Sequence, residues 1–209
     1  MTINSRFFTP WIGSLYGGRN SVLPKRVMVL GASHYCGNGC CDCGDPAAHP
    51  ECAVFTRDVV RSYLADNYSD TWMATFTTFI NSAYGRTTTS DERKQFMDSV
   101  VFANFLQRSE GQSADEKHNE LFNAPANVEA LKQTIRETKP DVVVVWGSRV
   151  WEAIPWDLGF GRAEKVTDDI FHYPFEGRSF LLVKLHHPSQ GYPAETSHRI
   201  LAAAGAAVG

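Results

Sequence analysis

The chain has 209 residues, 43 % of them hydrophobic and 21 % charged, with a formal net charge of −3. These values suit a soluble globular protein built around one sizeable core. No apolar run approaches the roughly 18–20 residues that span a bilayer, and the charge excludes a globally basic nucleic-acid binder while leaving room for a local basic groove.

The first residues, MTINSRFFTPWIG, lack the charged-then-apolar layout of a secretory signal, so the expected compartment is the reducing cytoplasm. All five cysteines fall between Cys36 and Cys52. An odd number in so short a stretch argues for free thiols or a metal rather than a disulfide framework. The chain has no internal repeat and no interdomain linker. Residues 1–209 read as a single domain with a Cys-rich insertion at about 36–52.

In chain order, Arg26–Leu30 (RVMVL) is the first expected strand. A helix follows at Cys52–Asn67, with Val54, Phe55, Val59, Tyr63 and Leu64 at helical spacing, and a buried helix at Thr71–Ala83. Ser99–Leu106 (SVVFANFL) is the second strand, and the polar run Arg108–Glu120 an exposed loop. An amphipathic helix spans Asn127–Thr138, stopped by Lys139–Pro140. Asp141–Trp146 (DVVVVW) and Ser179–Leu185 (SFLLVKL) are further strands, and Pro193–Val208 a terminal helix. The strands are short, β-branched and scarcely alternating, as strands covered on both faces should be. The pattern gives an α/β fold: a three-layer α/β/α sandwich with a central, mostly parallel four-stranded sheet. Ligands in such folds sit beyond the carboxyl ends of the strands, so the loops starting at Gly31, Asn104–Phe105, Gly147 and His186 should converge. Arg19, Lys25, Arg26 and Arg149 flank strands, where they either contact phosphates or are simply solvated.

Two of these loops carry chemistry. The first strand runs into Gly31-Ala32-Ser33-His34-Tyr35, the last into His187-Pro188-Ser189-Gln190-Gly191-Tyr192. With the strand-then-Trp-Gly element Val142–Gly147 between them, this layout resembles the uracil-DNA glycosylase superfamily. An early Gly-led catalytic loop there is matched by Gly31 and Tyr35, and a late His-Pro-Ser by His187–Ser189; the resemblance spans about Pro24 to Tyr192. It implies DNA as partner, no membrane, a monomer, and hydrolysis of the N-glycosidic bond of a flipped-out uracil or other damaged or modified base. It implies His187 as donor to the departing base, Ser189 as a phosphate contact, and Gln190 and Tyr192 entering the minor groove. Asn104 would read the base edge, Phe55 would stack on it, and Tyr35 would exclude groups on C5 of a pyrimidine. Where many members carry Asp or Glu in the first loop, this chain has Ala32 and Ser33. Water activation therefore falls to His34 or is met some other way. The departure suits a different target base, including a hypermodified phage base and hence a role in phage defence as well as repair, or a silent protein that binds nucleic acid without cutting it.

Cys40 and Cys43 form a chelating pair, and Cys36 and Cys52 complete a four-sulfur set for a structural zinc, with His49 or Cys41 as substitutes. The stretch Gly37–Pro50 has almost nothing to pack and needs such a staple. An iron–sulfur cluster, carried by some members of the superfamily, is less favoured because the spacing differs. Cys36, Cys40 and Cys43 also match the three-cysteine pattern of radical S-adenosylmethionine enzymes. Against that reading, Asp42 stands where an aromatic is usual, and the chain is short for a partial barrel.

Overall fold

The structure, a computed structural model, describes residues 6–35, 49–65, 70–111, 118–189 and 191–209. Its strands and helices, in chain order, are β1 (Trp11–Ile12), β2 (Val27–Gly31), β3 (His34–Tyr35), α1 (Phe55–Leu64), α2 (Met73–Tyr84), α3 (Ser90–Asp98), β4 (Val100–Asn104), β5 (Ser109–Gly111), α4 (Pro125–Thr138), β6 (Val142–Trp146), α5 (Ser148–Ala153), β7 (Glu164–Lys165), β8 (Ile170–Phe175), β9 (Arg178–Leu185) and α6 (Ala194–Ala204). The chain is a mixed α/β protein whose main sheet runs β1-β4-β2-β6-β9-β8-β7.

The four central strands, β4-β2-β6-β9, are parallel to one another and are the four expected from sequence. β2, β4 and β6 are buried at every position, which is why they read as unbroken apolar runs. Removing each Val or Leu side chain from water contributes about 1.5–3 kcal/mol. The sheet has seven strands where four were expected. β1, β8 and β7 join antiparallel at its margins. β1 and β7 are two residues long, and β8 carries Pro174, so none shows the buried-strand pattern.

Alternate residues of the central strands feed two apolar clusters. Val27, Val29, Val142 and Val144 meet Val60 and Tyr63 of α1, Phe76 and Phe79 of α2, Phe96 of α3 and Leu201 of α6. Met28, Leu30, Val143 and Val145 meet Leu131 and Ile135 of α4 and Val150 of α5. The connection from β2 to β4 therefore packs on one cluster and that from β4 to β6 on the other, while β4 and β6 flank β2 on opposite sides. That reversal is a topological switch point, where open α/β sheets leave a crevice at the strands' carboxyl ends. The ends are level there: Gly31 pairs with Asn104, Leu30 with Val145, and Trp146 with Leu185.

Candidate active site

The loop after β2 is zipped to the exit of β4: Phe105 N donates to the Gly31 carbonyl (2.9 Å) and Leu106 N to that of Ala32 (3.0 Å). Gly31 is required by close approach, since a Cβ there would stand 2.4 Å from Asn104 Oδ1. Beyond it, β3 pairs in parallel with β5, and Ser109 Oγ donates to the His34 carbonyl at 3.1 Å. The expected exposed loop at Arg108–Glu120 thus holds a strand, in which Ser109 and Glu110 are buried. The ladder partner His34 lies too far away in sequence for a polar run to betray it.

His34 is 4 % exposed. Its ring lies 4.7 Å from Phe8, edge-on, and 4.7 Å from Phe55. Nε2 is 2.8 Å from Thr56 Oγ1 and 3.2 Å from Asn104 Nδ2. An amide N–H can only donate, so Nε2 carries the lone pair and the ring is the Nδ1–H tautomer. Burial drives the imidazole pKa down to about 3, and His34 is neutral. Enclosed in this way, it does not orient a solvent water, as the sequence led us to expect; it orients Asn104. The same Asn104 amide nitrogen donates to the Ser33 carbonyl at 3.0 Å, and its side chain is buried at the end of β4. Phe55, the first residue of α1, remains half-buried beside the loop.

Ser33 and Tyr35 both point to one carboxylate that sequence reading missed. Ser33 Oγ donates to Glu110 Oε2 at 2.7 Å and Tyr35 Oη to the same oxygen at 3.2 Å. Oε1 accepts from the His118 backbone N–H at 3.1 Å and from the Arg149 guanidinium. The Glu110 side chain is fully covered. Burial pushes its pKa up, but Arg149, Ser33 and the His118 amide more than offset this, and the carboxyl sits below its ordinary value. Arg149 also donates to Asn119 Oδ1 (2.9 Å) and stacks over Phe122. Its guanidinium is held by protein groups rather than presented to a phosphate.

The second loop leaves β9 two strands from β2, a lateral separation of about 9–10 Å at ordinary strand spacing. Gly147 (φ 88, ψ 158) turns the chain between them, in a region essentially closed to other residues. A Cβ on it would stand 3.3 Å from His187 Cβ. His187 is open to solvent, with Nδ1 2.9 Å from Ser189 Oγ and its ring edge-on to Trp146 at 6.3 Å. The protein packed around the ring lowers its pKa by desolvation, so it is neutral near pH 7. The Ser189 hydroxyl, expected to reach a phosphate, is shared with His187. Tyr192 does not project outward: its hydroxyl is buried facing Ser82 of α2 and Ser197 of α6, which is not the posture of a groove-inserting side chain. Gln190 lies outside the described residues.

Lys25 and Arg26 precede β2, at the opposite end of the parallel strands from these loops. Lys25 Nζ donates to the Ala204 carbonyl (3.1 Å), and Arg26 is clasped by Asp141 (2.7 and 3.1 Å). Neither is a phosphate contact for this site. Cys52 lies half-buried in the 3-10 turn Pro50–Val54 that leads into α1. Cys36, Cys40, Cys41 and Cys43 lie outside the described residues. Among the described residues no three His, Cys, Asp or Glu side chains gather to hold a metal. No protein-family profile matches the sequence, and a comparison with curated proteins likewise finds no match.

Proposed function

We propose that the chain is a DNA glycosylase with the three-layer α/β/α arrangement of the uracil-DNA glycosylase superfamily, hydrolysing the bond between deoxyribose and an extruded uracil or other modified base. The supporting observation is that two loops leave the carboxyl ends of parallel strands two positions apart in one sheet: the Gly31–Tyr35 loop, backed by Asn104, and a solvent-open, neutral His187 held by Ser189. With Ser189 donating to Nδ1, the proton of His187 resides on Nε2, which can donate to the oxygen of a departing base anion. Phe55 supplies an aromatic face beside the first loop for the base. Cys36, Cys40, Cys43 and Cys52 are proposed as the ligands of a structural zinc that staples the segment between β3 and α1.

The test is strand scission. Oligonucleotides carrying different bases are incubated with the protein and treated with alkali. Cleavage at one modified base is expected, and His187→Ala should lower its rate at least ~10²-fold. Unchanged cleavage would remove His187 from the mechanism. The first loop's lack of a carboxylate and the enclosure of His34 favour one second reading, a silent nucleic-acid-binding protein. Retained binding without scission of any base selects it.

A further inference from the structure

We propose that Ser33 is the residue that contacts the attacking water, and that Glu110, acting through the Ser33 hydroxyl, is the positioning residue that receives the relayed proton. The proposal rests on the glycosylase reading and names what stands in for the carboxylate its first loop lacks.

An ionised carboxylate has about four acceptor positions. On Glu110 all four are filled, Oε2 by Ser33 and Tyr35, Oε1 by Arg149 and the His118 amide. No position is left for water, and the side chain is covered. A hydroxyl has one proton and two lone pairs. The Ser33 proton is committed to Glu110 and Tyr35 lies within hydrogen-bond reach of the same hydroxyl, so a remaining lone pair is what the half-buried Ser33 can offer a water. A water donating to Ser33 Oγ would have its oxygen oriented for attack. Burying a carboxylate costs several kcal/mol per ion unless it is paired, and Arg149 meets that cost from α5 without touching Ser33.

The step balances as follows. The C1′–N bond breaks and its electron pair leaves with the base, whose anion accepts a hydrogen bond from His187. The water oxygen bonds to C1′. One water proton passes to Ser33 Oγ as the Ser33 proton passes to Glu110 Oε2. That proton later returns through Ser33 to solvent and neutralises the base, so one water is consumed in all. Among the described residues, the charged and titratable groups facing Glu110 are Arg149 from α5, Tyr35 from β3, Glu120, and His118, whose ring is turned to Glu120.

Single-turnover cleavage of the best substrate tests this in wild type, Ser33→Ala, Ser33→Thr and Glu110→Gln. Ser33→Ala leaves Glu110 with three donors and should fold, which unchanged affinity for an abasic oligonucleotide verifies. The proposal expects a loss of at least ~10²-fold in Ser33→Ala and recovery of most of it in Ser33→Thr. It also expects a solvent-deuterium proton inventory that is bowed in wild type, with two protons in flight, and straight in Ser33→Ala. Wild-type rates in Ser33→Ala, or a slowed enzyme whose inventory stays bowed, overturn the relay while leaving the glycosylase reading intact. Glu110→Gln, if folded, should match Ser33→Ala; a folded Glu110→Gln at wild-type rate overturns the role of Glu110. Wild-type protein that cleaves no base overturns both.

Discussion

His34 keeps its lone pair aimed at Asn104 and Thr56 only while the ring is uncharged, and this gives the fold an acid liability. The folded pKa of about 3 lies below the ordinary value of 6.5. A depressed histidine contributes stability that is complete above the unfolded pKa and is lost as pH falls through the window from 6.5 toward 3. The limiting slope is about 1.4 kcal/mol per pH unit for one proton. His187, also lowered, acts in the same window, so the difference between two proteins isolates His34. Urea unfolding of wild type and His34→Gln at pH 7, 5.5 and 4.5 should show the variant less stable at pH 7 but losing less stability on acidification. Parallel pH dependence would mean that His34 is not the group responsible. At this scale the sequence revealed residues whose place follows from a strand end, Gly31, Asn104 and His187. It hid those whose setting depends on distant partners. Glu110 reads as a solvated loop residue because the guanidinium that makes its burial tolerable is 39 positions away. Tyr192 reads as exposed because nothing local shows that Ser82 and Ser197 enclose its hydroxyl.

Among elements, the central strands were legible because burial on both faces writes itself as a run of valines, whereas marginal strands leave no such run. α3 escaped the periodicity reading but not for want of a signal. Thr89 accepts from the Glu92 backbone N–H and the Glu92 carboxylate accepts from the Thr89 N–H, a capping box spelled Thr-x-x-Glu. α4 begins at Pro125, ahead of the expected Asn127, and Asn127 Oδ1, the atom a cap would use, accepts from the Gln107 backbone N–H instead. The cysteine segment between β3 and α1 has the opposite character: its composition is informative while its sequence offers few apolar side chains. If zinc staples it, metal analysis of protein purified without chelators should find about one zinc per chain, and Cys52→Ser should lower that content. Chelation should lower the thermal midpoint and open the segment to proteolysis. A colourless, zinc-free and equally stable protein would leave these thiols without a metal, and a brown anaerobic preparation would point to iron instead.

For the molecule as a whole, the distribution of charge sets how the proposed site would hold DNA. Among the described residues, the segments that leave the carboxyl ends of β2, β4 and β6 carry Arg108 and Arg149 against Glu110 and Glu120. Arg149 is already engaged by Glu110, and Lys25 and Arg26 sit at the far end of the sheet, tied to Ala204 and Asp141. On the proposed reading, the described residues of this site would neutralise one or two phosphates. Binding to single strands then weakens with salt by a slope of about −0.7 per phosphate neutralised, or roughly −1 in all. If the proposed function holds, affinity would come mainly from enclosing and stacking the extruded base, worth about 1–3 kcal/mol per base on an aromatic such as Phe55. Duplex substrates carry the further cost of unpairing, so a single-stranded or mispaired target should be preferred. Fluorescence anisotropy with a labelled single-stranded oligonucleotide, repeated from low to physiological salt, should give that shallow slope, and Phe55→Ala should weaken binding without changing it. A slope near −4 or steeper would mean that a cationic surface elsewhere on the chain carries the nucleic acid, and the proposed site at the Gly31 and His187 loops would lose its claim to be the binding site.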